Sequence, residues 1–356
     1  MKKNRILLKG NEAIAKGAID AGLEAYFGYP ITPQSELIEY LALEMPKLGR
    51  IFVQGESEIA SINMVLGAAS AGAAVMTSSS SPGISLKQEG ISYIAGCQLP
   101  AVIVNIMRGG PGLGNIAPSQ SDYFQAVKGG GHGDYHNIVL APSSVSEMYH
   151  IMLDAFNLAF KWRNPVMVVG DGVMGQMMEN VEIKKSKRKI KKGDLSWAVN
   201  GADNRFQNII RSLHLAAEDL EKHNLEIIKK YKEIEKQEQR SEEYMMKDAQ
   251  ICLVAFGLCS RIAKGIIEKL RKKKIKVGLI RPITLWPFPK DTIKKYVGQV
   301  KEFWTIELSS GQMVEDVQLA VKGEVPVRLF GKLGGVVPQE EEIINFFTKT
   351  KKDTNV

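Results

Sequence analysis

Gly28-Tyr-Pro-Ile-Thr-Pro33, followed one apolar run later by Gln54-Gly-Glu-Ser-Glu-Ile-Ala60, is the part of this chain on which its fold is read. Pro30 and Pro33 bracket Ile31 and Thr32 and restrict the backbone there, so the Thr32 hydroxyl is offered from a stiff turn. The turn follows a strand-like run, Glu24-Ala-Tyr-Phe-Gly28. The second segment sets two carboxylates, Glu56 and Glu58, at the mouth of an alanine-rich helical pattern that reads as buried. A carboxylate in such a place needs a donor or a proton.

Working outward, residues 10–181 alternate short β-type runs with helical ones. Helical patterns over Asn11–Ala21, Pro33–Met45 and Glu58–Ala71 separate strand candidates at Glu24–Gly28, Ile51–Gln54 and Ala73–Thr77. Further strands are expected at Ala101–Met107, Asn137–Ala141 and Pro165–Val169. Strands that are apolar on both faces and alternate with helices predict an α/β fold, a parallel sheet covered on both sides. Ligands bind beyond the carboxyl ends of such strands, where Tyr29–Thr32, Gln54–Glu58, Ser78–Gly83 and Arg108–Gly114 all fall.

The chain has 356 residues, 44% of them hydrophobic, enough for a large core, and a formal net charge of +8. Lys184, Lys185, Lys187, Arg188, Lys189, Lys191 and Lys192 concentrate the excess in one run without interleaved aromatics. That pattern reads as a solvated linker, not a nucleic-acid surface. Asp203–Asp248 is charged, with Ile209, Ile210, Leu213, Leu220, Ile227, Ile228, Tyr231 and Ile234 at helical spacing. It is expected to form one long helix or a helical pair that packs outside, with a partner-binding arm as the alternative. From Ala249 a second, smaller α/β unit is expected. It has strands at Ile251–Gly257, Ile275–Pro282, Phe303–Leu308 and Val325–Phe330, a helix over Ser260–Lys272, and turns at Arg281-Pro282 and Trp286-Pro287. No apolar run is long enough for a membrane span, Met1–Arg5 leads into a strand-like run and not a signal sequence, and a cytoplasmic protein is inferred.

Several motifs compete for function. Gly170-Asp-Gly-Val-Met-Gly175 fits the dinucleotide pattern but leads into Met177, Met178 and the lysine run without a second βα unit, which argues against a nicotinamide site. With Asn200 it also imitates a magnesium-diphosphate signature. The basic segment between cannot fold the compact unit that such a site needs, so the stretch reads as a tight turn. His132 and His136 stand four apart in a glycine-rich segment that cannot be a regular helix and has no third ligand nearby. A flexible loop near the site is expected there, without a metal. Ser78-Ser-Ser-Ser-Pro-Gly83 and Met107-Arg-Gly-Gly-Pro-Gly-Leu-Gly114 are glycine-rich turns that let backbone amides approach a ligand, and Arg108 offers a fork for a carboxylate. Alternatively, Arg108 caps a helix or pairs with Glu56 or Glu58.

Tyr29-Pro-Ile-Thr-Pro33, Glu56-Ser-Glu-Ile-Ala60, Thr77-Ser-Ser-Ser-Ser-Pro-Gly-Ile-Ser-Leu86 and Arg108-Gly-Gly-Pro-Gly-Leu-Gly114, in this order and spacing, resemble the alpha subunit of the 2-oxoacid:ferredoxin oxidoreductases over nearly the whole chain. The resemblance implies a pyrimidine-binding thiamine diphosphate domain over 1–182, a basic linker and charged helical connector over 183–248, and a transketolase-C-terminal-like α/β domain over 249–350. It also implies that Glu58 hydrogen-bonds N1′ of the aminopyrimidine, which favours the imino tautomer whose 4′-nitrogen takes the C2 proton. Tyr29, Pro30 and Ile31 would line the cofactor, Thr32 and Arg108 would contact the 2-oxoacid, and Glu56 would tune Glu58 or pair elsewhere.

A beta subunit would bring the magnesium-diphosphate half-site, and gamma and ferredoxin-like subunits would complete the complex, with coenzyme A and ferredoxin as co-substrates. Three scattered cysteines, Cys97, Cys252 and Cys259, cannot supply the thiolates of a 4Fe-4S cluster, so the clusters are expected on the partners. Members acting on 2-oxoglutarate tend to carry Ser-Thr where this chain has Gly112-Leu113. Leu113 therefore favours an apolar tail, and the wording is most similar to the branched-chain subunit acting on 3-methyl-2-oxobutanoate. A 2-oxoglutarate enzyme, a non-catalytic scaffold subunit and a stand-alone NAD dehydrogenase are the other readings.

Overall fold

A computed structural model of the chain describes residues 5–183 and 189–353, so Lys184, Lys185, Lys187 and Arg188 of the basic run lie outside the described residues. In chain order come β1 (Arg5–Lys9), α1 (Gly10–Ala21), β2 (Ala25–Gly28), α2 (Ser35–Lys47), β3 (Ile51–Gln54), α3 (Glu58–Ser70), β4 (Val75–Ser79), α4 (Pro82–Gly96) and β5 (Ala101–Met107). Then follow α5 (Tyr123–Val127), β6 (Ile138–Leu140), α6 (Val145–Trp162), β7 (Pro165–Asp171), α7 (Gly172–Gln176) and β8 (Met178–Glu182). The remainder contains α8 (Ala217–Gln237), β9 (Ser241–Tyr244), β10 (Ile251–Val254), α9 (Gly257–Lys272), β11 (Val277–Pro282), β12 (Thr284–Trp286), α10 (Lys290–Lys295), β13 (Glu302–Glu307), α11 (Met313–Val321), β14 (Val327–Gly331) and α12 (Glu340–Asp353).

A seven-stranded sheet runs β12-β6-β7-β5-β4-β2-β3 and is parallel except where β12 meets β6. Every residue of the central β5 and β7 is buried, as expected of strands covered on both faces. The apolar β3 is different: at the sheet edge it has one neighbour, and Ile51 is 56% exposed. Helices begin where side chains satisfy their first amides. Ser57 accepts from the Ala60 amide at α3, Ser144 from Glu147 at α6, and the Glu12 carboxylate from Lys9 at α1. α1 and α6 pack closely because Gly17 has no Cβ, which would lie 2.3 Å from the Tyr149 carbonyl oxygen.

A five-stranded sheet, β14-β13-β10-β11-β9, holds the second core; β9 is its antiparallel edge. Here the structure departs from the sequence reading of 203–248, because only α8 is helical. Residues 207–215 run extended, with Asn208, Ile210, Ser212 and His214 turned inward and Ile209, Arg211, Leu213 and Leu215 outward. The Asn208 side chain donates to the Ser196 and Ala198 carbonyls, and His214 stacks on His223 of α8, anchoring the segment outside a helix. The charged Ser241–Tyr244 is a strand because an edge lets its carboxylates find cations. Glu242 meets Lys264 and Arg281, and Glu243 meets Lys295.

Arg281 and Trp286 are not turn residues. Trp286 lies in β12, which crosses to the first sheet, and its ring stacks on His136 at 4.5 Å. Arg281 lies in β11, almost wholly buried, and forks between Glu242 and both carboxylate oxygens of Glu147 in the first turn of α6. Arg281→Met would leave Glu147 without this cation and Glu242 with Lys264 alone. Because both carboxylates are partly exposed, the expected loss is about 2 kcal/mol, below the full cost of breaking a buried pair. An unchanged denaturation midpoint would show that the Arg281 fork adds nothing to the joint between the two sheets.

Candidate active site

The carboxyl ends of β2, β3, β4, β5 and β7 bring their loops to one side of the first sheet. Glu58 is the first residue of α3 and is 6% exposed. Its Oε1 lies 2.7 Å from where a Cβ on Gly83 would stand, so the glycine at the start of α4 makes room for the carboxylate. Beside it at the same glycine is the Ser79 hydroxyl, which, like those of Thr77 and Ser80, is buried without a partner among the described residues. Groups that are buried and unpaired are costly to keep, so this nook has the chemistry of a ligand contact. The two helix-mouth carboxylates part company: Glu56 is exposed and accepts only from its neighbour, the Ser57 hydroxyl.

Thr32 is exposed at the tip of its turn, Pro30 is exposed, and Tyr29 and Ile31 are half-buried. The turn is held from within, because the Gln34 amide nitrogen donates to the Ile31 carbonyl and the Gln34 side chain accepts from Ser78, which meets the Tyr26 hydroxyl at 2.7 Å. Burial raises the pKa of that phenol, so it stays neutral.

Arg108 is 7% exposed. Its Nη1 donates to the Thr32 carbonyl at 2.9 Å and its Nη2 to the Leu113 carbonyl at 3.1 Å, while Nε is buried without a partner. Among the described residues no ion pair joins it to Glu56 or Glu58, and it caps neither carboxylate's helix. The guanidinium braces the Thr32 turn against the 109–117 loop, and its Nε–H is left without a partner among the described residues. Leu113, at the tip of that loop, is 81% exposed. Beside Thr32 lies an open hollow of about 530 Å³ lined by Pro33, Ile116, Pro118, Val173 and Met177 among others.

Ser81 joins these loops. Its φ of 23° is a conformation that side-chain-bearing residues rarely adopt. It is held by its amide on Asn105 Oδ1 and its hydroxyl on Asp122. Burial pushes the Asp122 carboxyl up, and the bonds from Ser81 and Asn105 oppose the rise. Asn105 and Asp122 escaped the sequence reading, although a lone asparagine within Val102-Ile-Val-Asn-Ile-Met107 was a signal. Asp171 corrects another reading: no tight turn, it ends β7 and caps α7 through the Val173 and Met174 amides, and burial lifts its pKa to about 6. His136 is likewise anchored, with Nδ1 against the Val127 carbonyl and its ring on Trp286, while His132 is exposed. No group of three His, Cys, Asp or Glu residues is placed to hold a metal among the described residues.

Residues 16–246 match the family profile described as pyruvate flavodoxin/ferredoxin oxidoreductase, thiamine diphosphate-binding, and 249–343 match pyruvate:ferredoxin oxidoreductase core domain II. The chain belongs to the 2-oxoacid:ferredoxin oxidoreductase family. Within this family of oxidoreductases it is 49% identical to the ketoisovalerate oxidoreductase subunit VorB of Methanothermobacter marburgensis, over 98% of this chain and 99% of that one. To the 2-oxoglutarate synthase subunit KorA of Archaeoglobus fulgidus it is 37% identical, over 94% and 96%. The solved 2-oxoglutarate:ferredoxin oxidoreductase of Magnetococcus marinus, with 2-oxoglutarate, coenzyme A and succinyl-CoA bound, superimposes with a TM-score of 0.85 at 26% identity. The match covers 98% of this chain and 65% of that one. A split-gene transketolase, at 14% identity and a TM-score of 0.62, shares the fold. No helix among the described residues is long and apolar enough to cross a membrane.

Proposed function

We propose that this oxidoreductase chain provides the pyrimidine-binding half of a thiamine diphosphate site and that the assembled enzyme oxidatively decarboxylates 3-methyl-2-oxobutanoate to an acyl-CoA. The observation that carries the reading is the buried Glu58 carboxylate, cradled by Gly83 beside the unpaired Ser79 hydroxyl, which fits an aminopyrimidine that offers and accepts protons. When bound, thiamine diphosphate supplies a nucleophilic carbon and an electron sink for the keto acid. Glu58 holds the proton at N1′, Tyr29, Pro30 and Ile31 line the ring, Thr32 offers its hydroxyl to the substrate, and the free Nε of Arg108 faces the oxoacid carboxylate. The apolar hollow beside Thr32 and the exposed Leu113 favour a branched tail over a second carboxylate.

The magnesium-diphosphate half is assigned to a beta subunit. In support, the Asp171 carboxylate is already committed to capping α7. The 4Fe-4S clusters are assigned to gamma and ferredoxin-like partners that pass electrons to ferredoxin, since Cys252 and Cys259 are buried and Cys97 is half-buried, far short of a cluster set. The division at 1–182, 183–248 and 249–350 belongs to the same proposal, and the break between the two profile matches supports its boundary at 248/249.

The isolated chain is expected to be inactive. In the reconstituted complex, coenzyme-A-dependent viologen reduction should be at least roughly tenfold faster with 3-methyl-2-oxobutanoate than with 2-oxoglutarate or pyruvate, the discrimination that an apolar pocket provides. Equal rates would overturn the substrate assignment, and a preference for 2-oxoglutarate would move the chain to the reading that its 37% relative supports.

A further inference from the structure

Lys87 is fully buried, on the sixth residue of α4, the helix that packs against α3. Lysines in helices ordinarily carry the ammonium out to water on their flexible stem. This one turns inward, and its Nζ donates to the Glu58 carbonyl at 3.3 Å. An ammonium has three donors, so two point into a buried space. Burial draws its pKa down to about 8, and the opposing influence is the negative charge of Glu58. An apolar side chain of similar length would fill the same volume without that desolvation cost. A cation kept at such a cost, against the first residue of α3 and next to its carboxylate, therefore calls for a function that packing does not supply.

We propose that Lys87 is a positioning residue for Glu58: its ammonium anchors the first turn of α3 through the Glu58 carbonyl and so fixes where the Glu58 side chain enters the pyrimidine site. The inference rests on the assignment of Glu58 to the cofactor. Ser79, at the end of β4, brings a neutral hydroxyl beside the Glu58 side chain but makes no bond that would hold it among the described residues.

The test is made on the assembled complex with Lys87→Met, which conserves length, and Lys87→Gln, which restores a donor for the Glu58 carbonyl without charge. Lys87→Met should leave KM for the oxoacid unchanged and lower kcat about tenfold, and Lys87→Gln should recover part of that loss. Thiamine diphosphate affinity, followed by quenching of tryptophan fluorescence, should weaken in Lys87→Met and less in Lys87→Gln. Introduced into a Glu58→Gln background, Lys87→Met should add little further loss in kcat, because the carboxylate that it positions is already absent. Unchanged kcat and cofactor affinity in folded Lys87→Met would reduce Lys87 to a core residue and overturn the proposal. So would equal losses in the two backgrounds. Full activity of Glu58→Gln alone would instead sink the cofactor assignment on which the inference rests, so the two failures are separable. If Lys87→Met does not fold, Lys87→Gln decides the matter: a loss of kcat confined to the Glu58 enzyme supports the proposal, and no loss or an equal loss in both backgrounds overturns it.

Discussion

Glu58→Gln in the assembled complex should lower kcat for coenzyme-A-dependent viologen reduction by about 10²–10⁴-fold, the range by which a positioned acid–base group accelerates a reaction. The size of the effect follows from where the carboxylate stands. It is the first residue of α3, almost entirely out of water, with its Oε1 in the gap that Gly83 leaves. Glutamine keeps the shape and one acceptor but can neither take nor share a proton at N1′. Stability should barely change, because Ser57 and not Glu58 caps the helix, and a charge at a helix N-terminus contributes under about 1 kcal/mol. The expected signature is a large kinetic loss with an unchanged melting temperature. Undiminished reduction would show that the proton is handled elsewhere.

Much of the fold was legible because buried parallel strands write themselves as continuous apolar runs. Ala101–Met107 is β5 to the residue. What escaped the pattern is tertiary. Ile209, Ile210 and Leu213 sit at spacings that fit a helix, yet the chain there lies flat and turns alternate residues inward, a choice made by Asn208 and His214 contacts. β12 contributes to a sheet whose other strands all precede residue 172, and three residues carry no periodicity from which that could be read.

Family membership was legible because its motifs fall at strand ends, where the backbone path dictates residue types. Side-chain direction was not. Glu56 and Glu58 are indistinguishable by composition, and only the start of α3 turns one inward and leaves the other in water. Arg108 read as a carboxylate fork, but two of its nitrogens hold backbone carbonyls, which no residue type announces. Lys87 was invisible for the opposite reason: a lysine in a helix reads as surface, and its burial depends on how α3 and α4 meet.

Gly83→Ala should lower kcat about 10²-fold, as a displacement of about 1 Å at a reacting group does, and weaken thiamine diphosphate binding with it. The methyl carbon would stand 2.1 Å from Ser79 Oγ and 2.7 Å from Glu58 Oε1. Neither separation is tolerable, so both side chains must move. Ser79 can rotate about one bond. Glu58 is the far end of a longer side chain and will swing away from the nook. Alanine is otherwise welcome here, since Gly83 sits in the first turn of α4, outside the left-handed region, and glycine in a helix is less stable than alanine by about 1 kcal/mol. The helical gain offsets part of the clash, and the variant should fold with a melting temperature near that of the parent while its cofactor titration shifts. If rate and affinity survive the methyl group, the position of the Glu58 carboxylate is not critical, and its charge alone would have to account for any loss in Glu58→Gln. A fall in both, on an intact fold, would mean that the empty space at Gly83 is as much a part of the site as the carboxylate that occupies it.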